Sequence, residues 1–156
     1  MNTTSQTQKK TKHSVALAVR RDGMPETLLV VRRPLDDAEL PGVWGLPAAS
    51  LRDGEVAENA VRRIGAEKLG TELRMGGRLA HGRQVREGYV LEMNLYEAWT
   101  ESGEIMMPGH ILKSATTLYI DWKWGSPDDV SDGASKGSLC SQLLLDVASN
   151  DAGGMS

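Results

Sequence analysis

The chain has 156 residues, 40% of them hydrophobic, which suits one domain with a real core. A formal charge of -3 and a pI near 5.6 argue against a surface built for nucleic-acid polymers or acidic membranes. The single cysteine, Cys140, excludes an internal disulfide and a cysteine-based metal cluster. No apolar run approaches the roughly 20 residues that span a bilayer. The opening MNTTSQTQKKTK lacks the apolar stretch of a signal peptide, so a cytoplasmic protein is expected.

Residues 1–12 read as a disordered tail, and a single domain is expected over 13–148. HSVALAVRR, from His13, reads as a first strand, DGMPE as a turn, and TLLVVRRP as a second strand closed by Pro34. These two strands suit a hairpin or neighbouring positions in a sheet. LDDAELPGVWGLPAAS holds too many turn formers for a long regular element, and Leu40, Val43, Trp44 and Leu46 are its apolar anchors. From Val56 to Leu69 the spacing predicts a helix with Ala57, Ala60, Val61, Ile64 and Leu69 on one face and Gly70 as its stop. Gly65 lies inside that helix at a cost of about 1 kcal/mol relative to alanine. Either its space is needed or the cost is tolerated.

TELRMGGRLAHGRQVREGYVLEMNLYEAW reads as strands joined by a polar turn around His81 to Glu87. Tyr89, Leu91, Met93 and Leu95 alternate along the later strand. TESGE is a turn and TLYIDWKW a further strand. SLCSQLLLDVA is a closing helix with Ser138 as N-cap and Leu139, Cys140, Leu143, Leu144 and Val147 on its apolar face. Residues 149–156 read as a flexible tail. This order of elements implies an α/β fold with helices packed against a central sheet.

The helix and its approach carry the candidate chemistry. Arg63 and Glu67 are four apart and share a face. Glu55, Glu58 and Asn59 crowd the first turn, where acids also suit the helix dipole without any further role. Arg32 and Arg33 end the second strand as phosphate contacts or as solvated charges. His81, Arg83 and Arg86 are candidate substrate contacts on the expected turn. Trp44, Trp122 and Trp124 suit packing or ligand stacking. Cys140, among apolar helical positions, reads as a buried small residue. His13 lies close to the tail and His110 is isolated.

The segment GVWGLPAASLRDGEVAENAVRRIGAEKLG, Gly42 to Gly70, resembles the Nudix box, the signature of the Nudix hydrolase superfamily. In that register the first glycine of the box falls on Ala49 and its isolated glutamate on Glu55. Its arginine falls on Arg63 and the adjoining glutamate on Ile64. The later acid pair becomes Glu67 and Lys68, and the closing glycine is Gly70. The resemblance runs from His13 to about Val130. It implies a Nudix-like α/β/α sandwich with a mixed central sheet, and leaves room for a homodimer.

Family members use a divalent metal, Mg²⁺ or Mn²⁺, to hydrolyse a nucleoside diphosphate linked to another moiety. Such hard cations take carboxylate, phosphate and water oxygens, and they activate water for attack on phosphorus. The resemblance gives Glu67 the retained metal-ligand role and Arg63 that of organising the acidic cluster. Glu55 and Glu58 are supplementary carboxylates, with Glu97, Glu101, Glu104 and Asp121 as further acids from loops. Lys68, Arg32, Arg33 and Arg83 are expected to meet phosphate. Ile64 and Lys68 replace two acids, the first extending an apolar stripe and the second adding positive charge. Two functions follow as expectations. The first, to which the resemblance leads, is an atypical metal-dependent hydrolase cleaving a phosphoanhydride bond in a nucleoside diphosphate derivative or related small molecule. The other is a noncatalytic nucleotide-binding or protein-interaction domain.

Overall fold

A computed structural model describes residues 10–107 and 119–154, so His110 lies outside the described residues. The strands are β1 (Lys10–Arg21), β2 (Leu28–Arg32), β3 (Trp44–Gly45), β4 (Ala48–Ser50), β5 (Arg74–Arg86), β6 (Tyr89–Thr100) and β7 (Asp121–Gly125). Helix α1 (Ala57–Arg63) follows β4 and continues as a π-helical segment, Ile64–Leu69. After β7 come a 3-10 turn (Pro127–Val130), α2 (Ser131–Ser135) and α3 (Leu139–Gly154).

The strands form a mixed sheet in the order β4-β1-β6-β5 and an antiparallel sheet in the order β3-β2-β7. β1 runs parallel to β6 and antiparallel to β4. Strands buried on both faces read as continuous apolar runs, and Val15 to Val19 is such a run, entirely shielded from solvent. Because side chains alternate along a strand, β1 feeds two cores. Val15, Leu17 and Val19 pack with Ala60, Val61 and Ile64 of the box helix. Ala16 and Ala18 share the opposite core with Leu91, Met93, Leu95 and the α3 residues Leu139, Leu143 and Leu144. These layers bear out the α/β/α sandwich with a mixed sheet.

Several local expectations differ from the structure. β1 and β2 do not pair with each other, since each takes its partners in a different sheet. β1 starts at Lys10, because main-chain pairing with Tyr89, Val90 and Leu91 holds three residues whose side chains are exposed. The turn between β5 and β6 is confined to Glu87 and Gly88, with Gly88 at φ 86°. His81, Arg83 and Arg86 are therefore strand residues, polar because β5 is the edge of its sheet. α3 continues to Gly154, past the apolar stretch that signals it.

Gly65 is needed where it stands. A Cβ there would lie 2.5 Å from the Thr71 carbonyl oxygen and 3.0 Å from Leu73 Cγ, so the chain leaving the helix passes directly over it. Gly70 ends the helix in the left-handed conformation, φ 61°, and the Leu69 carbonyl accepts the Met106 N–H at 2.8 Å. Trp122 and Trp124 pack against the box-helix core, and Trp124 Nε1 donates to the Gly103 carbonyl. Trp44 packs against the opposite core under the Lys123 ammonium, 4.7 Å from the ring centre. Among the described residues no helix is long and apolar enough to cross a membrane.

Candidate ligand site

Where the box helix meets β4 and the open end of β1 and β6, a cleft of about 480 Å³ enters the molecule. Its lining includes the cations Arg33, Arg52, Arg63 and Lys68 and the apolar side chains of Leu46, Leu91, Met93 and Leu139. The charged lining is built from the loop after β4. Arg52-Asp53-Gly54-Glu55 closes on a Glu55 N–H to Arg52 carbonyl bond of 2.9 Å, with Gly54 at φ 72°. The Glu55 carboxylate accepts two bonds from the Arg63 guanidinium, 2.8 Å from Nη2 and 3.0 Å from Nε. It also accepts the Arg52 N–H at 3.0 Å, while Arg63 Nη2 donates to the Ser50 carbonyl at 2.9 Å. Both side chains are only 11% exposed. The Arg63 hydrogen bonds hold the Glu55 carboxyl down at about 2. Glu55 is thus spent on joining loop, strand and helix.

Glu67 lies beside the cleft, its carboxylate 3.6 Å from Arg52 Nη2. Glu58 is on the other flank, paired with Arg62 at 3.7 Å and lining a separate recess with Glu72, Trp99 and Glu101. Glu97 pairs with Arg20 at 3.3 Å, and Asp121 accepts the N–H of Trp122. Ile64 is fully buried in the core against β1. Among the described residues no three His, Cys, Asp or Glu side chains are grouped so as to hold a metal ion. The protein side chains alone therefore do not make up a divalent-cation site, and such a cation would need phosphate and water oxygens beside Glu67.

Lys68 is the most unusual cation of the cleft. It is 5% exposed, and its Nζ donates to the Ala48 carbonyl at 2.6 Å. The same ammonium lies 5.2 Å from the centre of the Tyr119 ring, whose hydroxyl accepts the Ala48 N–H at 3.0 Å. Among the described residues no carboxylate comes within ion-pair distance of Lys68. Burial first, then the charges of Arg33 and Arg63, pushes its pKa down to about 8, and Glu67 opposes that fall.

Arg32, the last residue of β2, and Arg33 after it part company because neighbouring residues of an extended chain point opposite ways. Arg33 reaches the cleft, held by Asp37 through bonds of 3.0 and 3.1 Å. Arg32 instead donates from Nε to the Gly42 carbonyl and does not line the cleft. Arg83 points outward from β5, 61% exposed and 3.7 Å from Glu92. Arg86 lies on the inner face and lines the cleft, donating to Glu39 at 2.7 Å. Sequence reasoning missed Arg52 on the loop after β4, Lys12, which reaches the cleft over the Tyr89 ring, and Tyr119, the backing for Lys68. The alternation of β5 was the available signal for Arg86. Nothing local marks Lys12 or Tyr119.

The sequence matches the profile of the NUDIX domain family over residues 10–138, and the chain belongs to that family. Its members typically cleave nucleoside diphosphate derivatives and generally use divalent metal ions. No curated protein matches the sequence. The fold is similar to the E. coli ORF135 protein, with TM-score 0.66 and 17% identity, covering 90% of this chain and 92% of that one. It is also similar to the MutT protein from Methanosarcina mazei Go1, with TM-score 0.67 and 14% identity, covering 92% and 97%. A C. elegans Ap4A hydrolase solved as a binary complex has TM-score 0.63 and 17% identity, covering 91% and 98%. At these identities the likeness concerns the fold alone.

Proposed function

We propose that this Nudix-family chain is a binding module for a phosphate-containing, nucleotide-like small molecule. It holds the ligand in the basic cleft without turning it over through a resident divalent metal. The observation that carries this reading is the convergence of Arg33, Arg52, Arg63 and Lys68 on one cleft, with no three His, Cys, Asp or Glu side chains grouped to hold a metal among the described residues. Guanidinium forks recognise phosphate oxygens directionally, and an ammonium acts as a point charge. The apolar side chains of Leu46, Leu91 and Met93 suit the uncharged part of such a ligand. A reducing, cytoplasmic setting suits the lone Cys140, which is half-buried with its Sγ 3.4 Å from Ser138 Oγ.

A second reading rests on Glu67, whose carboxylate stands beside the cleft 3.6 Å from Arg52 and is not buried in the core. In it the chain is an atypical hydrolase of a phosphoanhydride bond, with Arg63 as organiser, Glu55 or Glu58 as supporting acid, and Mg²⁺ or Mn²⁺ arriving with the substrate. Calorimetry with ADP and ADP-ribose in EDTA, run beside phosphate-release assays in Mg²⁺ and Mn²⁺, separates the two. Binding in EDTA without release in either metal supports the binding module. Metal-dependent release that Glu67→Gln abolishes overturns it in favour of the hydrolase.

A further inference from the structure

Resting on the ligand site above, we propose that Lys68 takes the place of the divalent metal. The cleft then selects the metal-free diphosphate anion, and Mg²⁺ opposes binding instead of supporting it.

Burial and charge pattern together single out Lys68, whereas Lys12 lies exposed over the Tyr89 ring. Arg63 is neutralised by Glu55, and Arg33 by Asp37, each through two hydrogen bonds. Arg52 faces Glu67. Lys68 alone among these four cations is buried with only neutral partners, the Ala48 carbonyl and the Tyr119 ring. A buried charge without a counter-charge is costly, and an incoming anion relieves that cost. Lys68 lines the cleft, so this largely buried charge lies at the cleft wall, next to where a ligand would sit.

The same arrangement works against a metal. A dication bound to a diphosphate would bring two positive charges toward an ammonium in a setting of lowered dielectric, where like charges repel strongly. Lys68 has little room to withdraw. Its Nζ is held by Ala48, and its stem packs into a surface that is 95% closed to solvent. Ile64, at the other altered box position, is committed to the core against β1 and supplies no oxygen. A diphosphate stripped of metal carries its full negative charge to the site, and one already complexed to Mg²⁺ does not. Lys68 thus determines which form of the ligand enters.

The test is calorimetric titration of the full chain with ADP, once in EDTA and once in excess Mg²⁺. ADP is expected to bind at least about tenfold more weakly in Mg²⁺, the scale of losing one close charge contact. Lys68→Met, which keeps the length and removes the charge, should weaken binding in EDTA and bring the ratio of the two Kd values toward one. A role confined to packing would leave that ratio unchanged. Equal or tighter binding in Mg²⁺ by the wild type overturns this proposal and leaves the binding module standing. Absence of ADP binding in both buffers overturns both. The wild-type comparison decides the matter even where Lys68→Met fails to fold, which far-UV circular dichroism would reveal.

Discussion

Two parallel hydrogen bonds between Glu55 and Arg63, 2.8 and 3.0 Å long, tie the loop after β4 to the box helix. They hold the Glu55 carboxyl at about 2 against an ordinary 4.5. A carboxyl with a depressed folded pKa contributes its full stability above the unfolded value. That contribution is lost as pH falls through the folded value. Glu55→Gln should therefore cost about 2–3 kcal/mol at neutral pH. The deficit should shrink as pH falls from about 5 toward 2, as followed by urea unfolding at a series of pH values. The pair was partly legible in the sequence, because the box resemblance marks both positions. That Glu55 is the partner of Arg63, and so is occupied, required the turn at Gly54 to bring the two side chains together.

The box helix changes character along its length, from α-helix over Ala57–Arg63 to π-helix over Ile64–Leu69, and Gly65 sits just inside the wider part. Replacing Gly65 with alanine would gain about 1 kcal/mol of helix propensity. The added Cβ would meet the Thr71 carbonyl at 2.5 Å, a backbone atom with little freedom to move. Gly65→Ala is expected to destabilise by roughly 1–3 kcal/mol net, the usual scale of overpacking. A lowered thermal midpoint with unchanged far-UV circular dichroism would show it. The helix was legible from its apolar spacing and from the Gly70 stop. The π segment was not, because it is imposed by the chain returning over Gly65, a contact made after the helix has ended. On β5 the polar run His81 to Glu87 looks like a turn, since an exposed edge strand and a turn share the same composition.

At the scale of the whole molecule, β1 couples the layers, with alternate residues in the cores beneath the box helix and beneath α3. The two cores should therefore melt as one. Leu17→Ala, at a fully buried position, should cost about 2–5 kcal/mol. It should also lower the midpoints seen by circular dichroism and by tryptophan fluorescence together. Separate transitions would show that the layers are independent.

The sequence by itself determined the family, the α/β class and the box helix, because these rest on local spacing and residue type. It also showed the loss of two acids at Ile64 and Lys68. Only the tertiary structure decided how the remaining charges are used. Glu58 is carried to the opposite flank, Glu55 is consumed by Arg63, and Arg33 enters the cleft while Arg32 does not. Lys68 acquires its character from Ala48 and Tyr119, residues 20 and 51 positions away in the chain. A lysine on a helix is ordinarily solvated. Burial without a counter-charge is a property of its surroundings, and those are assembled only when the sheet closes over the helix end.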